Sequence, residues 1–196
     1  FLKFNFNYDK RNQKFQTSDG FRSFYSLDLP IISDTNTIKN YYNYSHYFDF
    51  FEKNFSSISI YLQSANSLNN KDIKLSERIN IPSSRLRGFE AGRVGPKDGD
   101  DFVGGNYAYS INFASNIPQL FEESQSIDFL IFADAADIWG VDYNSSIDGE
   151  GIRSSIGVAL DWMTPIGPMS FSFAHPITKK DGDVTETFRF NLGTTF

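Results

Sequence analysis

The chain has 196 residues, 40% of them hydrophobic and 17% aromatic, with a net charge of -6, no cysteine and two histidines. No apolar run is long enough for a membrane helix, the negative balance gives a nucleic-acid partner no support, and disulfides, thiolate metal sites and cysteine nucleophiles are excluded. A mean hydropathy of -0.37 leaves membrane β-barrels open, because alternating strands hide their apolar content in an average.

The length fits one domain or part of a larger protein. The chain opens on Phe1 without a signal-peptide pattern, so a mature product or a fragment is expected. In chain order, a period of two dominates. In LKFNFNY, Leu2, Phe4, Phe6 and Tyr8 share a face; in FRSFYSLDL, Tyr25, Leu27 and Leu29 oppose Arg22, Ser26 and Asp28. In IKNYYNYSHYFDF, Ile38, Tyr42, Tyr44, Phe48 and Phe50 oppose Lys39, Asn43, Ser45 and Asp49; in SISIYLQ, Ile58, Ile60 and Leu62 oppose serines and Gln63. Successive strand side chains point to opposite faces, so each segment has an apolar and a polar side.

A long loop, 67–102, interrupts the pattern with SSRLRGFEAGRVGPKDGDD, rich in Gly and charge. Loops of this length in a compact domain are functional or disordered. Alternation then resumes. Tyr107, Tyr109, Ile111 and Phe113 oppose Asn106, Ser110 and Asn112; Ile127, Phe129, Ile131 and Ala133 oppose Asp128 and Asp134. Ile156, Val158, Leu160 and Trp162 oppose Arg153, Ser155 and Asp161; Met169, Phe171 and Phe173 oppose Ser170 and Ser172; Phe188, Phe190, Leu192 and Phe196 oppose Arg189, Asn191 and Gly193. About nine strands are predicted, each near the length that a tilted membrane strand needs.

The connections alternate in length. EKN, NIPQLFEE and TPIGP are short; ISDTNT, the long loop, GVDYNSSIDGEG and HPITKKDGD are longer and polar. DKRNQKFQTSDG breaks the parity, being long where a short turn is due. Short turns on one side and long loops on the other are the outer-membrane barrel arrangement, with the last strand ending on the periplasmic side and the long loop outside. A soluble β-sandwich also alternates. The polar faces here are Ser, Asn, Thr and single charges rather than dense Lys and Glu, which favours the barrel.

Several ordered motifs sharpen this reading: Arg87-Gly88-Phe89, Val94-Gly95-Pro96-Lys97, Val103-Gly104-Gly105-Asn106, Asp134 and Trp139 in FADAADIW, WMTPIGPMSFSFAHP, and DGDVTETFRFNLGTTF. With them the chain, clearly from about Ser83 to Phe196, resembles the C-terminal part of the barrel in the BamA family of outer-membrane assembly factors. That family sits within the barrel insertases and polypeptide-transporting barrels. The resemblance implies an all-β, transmembrane antiparallel barrel of sixteen strands, of which 1–196 holds the C-terminal portion and lacks the earlier strands and the periplasmic POTRA repeats. It implies folding and insertion of β-barrel proteins into the outer membrane of a Gram-negative bacterium. The implied partners are unfolded outer-membrane proteins, lipid and, through the POTRA repeats, assembly-complex lipoproteins. A TamA-like or two-partner-secretion barrel and a passive porin are the alternatives.

For the site, the resemblance implies a loop that dips into the lumen. Gly88 lets the backbone turn, and Arg87, beside Phe89, meets the lumen-facing Asp134; such a pair can be bidentate. Gly95, Pro96, Gly104, Gly105 and Asn106 support the loop. The family often offers Arg a second acid where this chain has the neutral Asn112. Phe188, Phe190, Leu192, Gly193 and Phe196 form the C-terminal signal strand, which in the family meets the first strand at a lateral gate. Asp98, Asp100 and Asp101 lack the spacing of a calcium loop and read as solvated, as do Glu122 and Glu123. His46 reads as interfacial, and His175 suggests no chemistry. With no nucleophile, base and orienter set, the chain is expected to be neither an enzyme nor a holder of a metal or other cofactor.

Overall fold

The computed structural model describes residues 2–14, 16–31, 36–118, 126–148, 151–165 and 167–193. Nine strands form one antiparallel sheet in sequence order: β1 (Leu2–Asp9), β2 (Gly20–Leu29), β3 (Thr37–Phe48), β4 (Ser56–Ser67), β7 (Tyr107–Asn116), β8 (Ile127–Trp139), β9 (Arg153–Thr164), β10 (Gly167–Thr178) and β11 (Phe188–Leu192). A two-stranded ribbon, β5 (Lys97–Asp98) with β6 (Asp101–Phe102), stands apart in the loop between β4 and β7. Every neighbouring pair is antiparallel, so sequence alternation converts directly into two sheet faces. Among the described residues β1 and β11 are the sheet's edges and do not pair with each other.

The outer face is apolar and uncovered. Ile58, Ile60, Leu62, Ile111, Ile131, Ile156, Trp162 and Phe173 are all exposed large hydrophobics. A water-soluble sheet would bury such a face, whereas a lipid-facing one presents it. Seven strands, β2 to β4 and β7 to β10, run 10 to 13 residues, enough to cross a hydrocarbon core at a tilt.

The core lies on the inner face, between sheet and loop. Tyr61 and Ala65 of β4, Ala108 of β7, and Ala136 and Ile138 of β8 pack against Ile73, Ile79, Ile81, Leu86, Phe89 and Val94 of the loop. β4 runs through Ser67, so the loop occupies 68–106 rather than starting at 67, and it ends beyond 102. Its scattered isoleucines, Leu86 and Phe89 are the apolar content that a period-two reading passes over. They need no periodicity because they meet a sheet rather than form one.

The long link after β1 also has its reason here. Gln16 lies beneath β8, and its amide donates to both oxygens of the inward Asp128, at 3.0 and 3.1 Å. With Asn54, Asn116 and Phe129 it lines a cavity of about 330 Å³ at the short-turn end. A tight turn could not reach so far across the sheet.

Candidate functional site: the loop lock on the inner face

Asp134 lies in mid-β8 on the inner face, with its carboxylate wholly buried. Arg87 meets it as a fork: Nε donates to Oδ2 at 2.7 Å, Nη2 to Oδ1 at 2.7 Å, and the Arg87 backbone N–H to Oδ2 at 3.1 Å. Paired, charge-assisted bonds of this kind fix orientation as well as adding energy. The guanidinium stacks 3.5 Å above the Phe132 ring centroid. Phe132 in turn lies opposite Gly157 of β9, where an added Cβ would stand 2.5 Å from the ring and 2.2 Å from the Phe173 carbonyl oxygen. The glycine makes room for the ring, and the ring forms the floor under the cation.

Asn112 sits beside this pair as an orienter. Its Nδ2 donates to Asp134 Oδ1 at 2.8 Å and to the Arg85 carbonyl at 2.8 Å, while its Oδ1 accepts from Ser110 at 3.0 Å. Register places Asn112 directly across from Asp134. A neutral amide there supplies a donor to the buried carboxylate, where a second acid would set a like charge beside it.

The backbone of the motif is equally constrained. Gly88 has φ +90, and an added Cβ would lie 3.1 Å from Ala174 Cβ and 3.3 Å from Ser155 Cβ, so both the conformation and the space call for glycine. The Arg87 carbonyl accepts from Ser155 Oγ of β9. Phe89 is buried in the core and bridges to Thr185.

The other loop candidates sit nearer the top of the sheet. Gly95 passes over Ile138 and donates to Asp183 at 3.3 Å, and the Pro96 carbonyl accepts from Val103 at 3.1 Å. Gly105 and Ile79 exchange backbone bonds at 2.8 and 3.0 Å, next to Gly104. Asn106 donates its N–H to the Trp139 and Gly140 carbonyls at 2.8 and 2.9 Å. Together these residues seat the loop's return onto β7 and β8.

Further arginines hold the loop and its neighbours; alternation placed Arg153 and Arg189 on the inner face without their partners, and Arg78 and Arg85 lie in the loop, where no alternation runs. Arg153, wholly buried on β9, pairs with Asp137 at 2.7 Å and Asp183 at 3.0 Å. Arg85 donates to Asn43 at 2.7 Å and lies over Tyr61, 5.6 Å from its centroid. Arg78 pairs with Asp142 and stacks on Tyr143 at 4.8 Å. Tyr143 donates to Asp98 at 2.9 Å, and its hydroxyl is raised above the ordinary tyrosine range by desolvation and then by that bond. Arg189, inward on β11, reaches the loop carbonyls of Ser83 and Phe89.

Phe188, Phe190 and Leu192 of β11 are exposed on the outer face, with Phe188 tilted against Phe173 and Phe190 against Phe171 at ring separations of 4.9 and 5.0 Å. Gly193 follows with φ +73 and donates to the Pro168 carbonyl at 2.8 Å. Phe196, Glu122 and Glu123 lie outside the described residues. Asp98 and Asp101 belong to the β5–β6 ribbon, and Asp100 is exposed at its tip, 3.9 Å from Lys97. His46 points outward beside Phe48, and His175 outward on β10 opposite Ile156. Among the described residues no cluster of acids and histidines could hold a metal ion.

An antiparallel sheet, lipid-facing on one side and wrapped around its own charged loop on the other, defines a transmembrane β-barrel portion of the outer-membrane type. The chain belongs to the Omp85 superfamily, whose domain matches residues 1–196. It is 35% identical over 140 residues to the outer membrane protein assembly factor BamA of Neisseria meningitidis serogroup B, covering 57% of this chain and 17% of that protein. A SAM50-like protein of Schizosaccharomyces pombe is 30% identical over 152 residues, covering 71% of this chain and 31% of its own length. The crystal structure of BamA from Haemophilus ducreyi lacking POTRA domains 1–3 superposes with a TM-score of 0.84 at 28% identity, covering 96% of this chain and 41% of that one. The chain thus spans under a third of the curated relatives it matches, and its place is the outer membrane.

Proposed function

We propose that the protein to which this chain belongs folds and inserts β-barrel proteins into the outer membrane, without bond-making chemistry. Its partners on this reading are unfolded outer-membrane proteins and lipid, with assembly lipoproteins engaged through POTRA repeats. The relatives named as assembly factors support the reading, and one observation carries it: the RGF loop is fixed on the inner face by the fork of Arg87 on Asp134. In this mechanism the loop sets the shape of the wall, while β11, an edge strand, offers backbone to an incoming strand at the lateral gate. A passive porin fits poorly, because the loop covers the concave face that an open pore would leave to water. The test is complementation in cells depleted of their native assembly factor. Full-length protein should restore outer-membrane porin levels and the Arg87→Ala variant, at equal abundance, should not. Full rescue by that variant would remove the loop from the mechanism.

A further inference from the structure

Among the described residues β11 pairs with β10 from Phe188 to Leu192, with one further backbone bond at each end, Ala174 N–H to the Thr187 carbonyl at 2.9 Å and Gly193 N–H to the Pro168 carbonyl at 2.8 Å, whereas β10 pairs with β9 along nearly its whole length. The other edge of β11 has no strand beside it among the described residues. What adds to its attachment comes from the loop. Arg189 uses all three of its donor nitrogens: Nη1 donates to the Ser83 carbonyl at 2.7 Å, Nη2 to the Phe89 carbonyl, and Nε to Glu186 Oε2 at 2.9 Å. Ser83 and Phe89 flank Arg87 on either side. Glu186, which orients the guanidinium, donates its own N–H to the Gly88 carbonyl at 3.0 Å. The connection before β11 continues this pairing, with Glu90 N–H to the Val184 carbonyl at 2.9 Å and Val184 N–H to the Arg93 carbonyl at 3.0 Å.

A continuous path of bonds therefore runs from Asp134 through Arg87 and two peptide units to Arg189 and the backbone of β11. We infer that Arg189 is a positioning residue that couples the loop lock to the attachment of the last strand, so that releasing Arg87 from Asp134 frees β11. Two fixed carbonyls receive a planar cation whose geometry demands both at once. If the loop shifts, the two carbonyl acceptors leave together. This inference deepens the proposed function, because it rests on β11 being the working edge, but its test reads structure and not assembly.

The experiment is hydrogen exchange on the full-length protein in lipid vesicles, resolved for amides 83–93 of the loop and 188–193 of the strand; the Val184 and Glu186 amides are left out because they bond the loop directly. Asp134→Asn should raise exchange in both stretches, by about tenfold or more, the scale of one charge-assisted hydrogen bond. Arg189→Gln should raise exchange in 188–193 on its own, and adding Asp134→Asn to it should leave 188–193 within about twofold while 83–93 still responds. Coupling of this kind is reciprocal, so Arg189→Gln alone should also loosen 83–93. An unchanged 188–193 in Asp134→Asn, or an equal rise with and without Arg189, overturns the inference. Should Asp134→Asn fail to assemble, the single variant decides: no change in 83–93 on Arg189→Gln overturns it. A strand that responds as expected in a protein that does not assemble substrates would refute the proposed function and leave the coupling standing.

Discussion

Arg87→Ala should open the loop locally around 85–90 while leaving the barrel wall intact. The Asp134 carboxylate is fully buried and accepts three bonds from Arg87, two of them from the guanidinium, plus one from Asn112. Truncation removes both guanidinium bonds and the stack on Phe132, and leaves a buried charge with the Asn112 amide and one backbone N–H. Breaking a buried pair from one side costs about 3–5 kcal/mol, which at about 1.4 kcal/mol per tenfold is a rise of about 100- to 4,000-fold in the opened population. The remaining apolar seats of the loop, Ile79, Ile81, Leu86 and Phe89, limit the event to a local opening. Limited trypsin digestion of the full-length protein in vesicles reads it, because cleavage at Arg85, inside the opened stretch, tracks the open fraction when reclosing is fast. Asp134→Ala should fall at the lower end of the same range, since Arg87 is partly exposed and can turn to water. The double variant should cost about 2 kcal/mol less than the sum of the singles. Cleavage of Arg87→Ala within about twofold of the parent would refute the lock.

Asn112→Ala removes one donor from Asp134 and one from the Arg85 carbonyl, and should weaken loop docking by about 1–2 kcal/mol in the same digestion. Gly157→Ala drives a Cβ into the Phe132 ring and the Phe173 carbonyl and should cost about 1–3 kcal/mol, seen as a lower urea midpoint of the folded band on an unheated gel; an unchanged midpoint means that β9 and β10 give way freely. Ile131→Arg places a charge on the exposed outer face of β8 and should destabilise the barrel in a bilayer by about 2–4 kcal/mol, measured by reversible unfolding from vesicles. A neutral result there would deny that this face meets lipid.

The alternation of the nine strands was legible because a strand's side-chain period is fixed by the backbone and needs no partner to be read. The same parity put Asp134, Arg153 and Arg189 on the inner face. Parity names a face, however, and not a contact. That Arg153 lies between Asp137 and Asp183, and that Arg189 reaches back about a hundred residues to Ser83 and Phe89, follows from how hairpins far apart in sequence are brought side by side. The loop shows the limit most clearly. Its glycines and charges suggested a polar excursion, yet Ile73, Ile79, Ile81, Leu86, Phe89 and Val94 form the core against β4, β7 and β8. An aperiodic segment can bury apolar groups only on a surface supplied by other elements, so its own sequence carries no periodic trace of that burial. Gln16 is the same case in small: its reach to Asp128 exists because the sheet curves. An alternating sheet with two faces and an Arg-Gly-Phe turn able to bend inward can be read from residue order alone. That Asn112 stands by as an amide donor to Asp134, and that Arg189 of the last strand reaches the loop carbonyls, depends on distances between strands that no local pattern encodes.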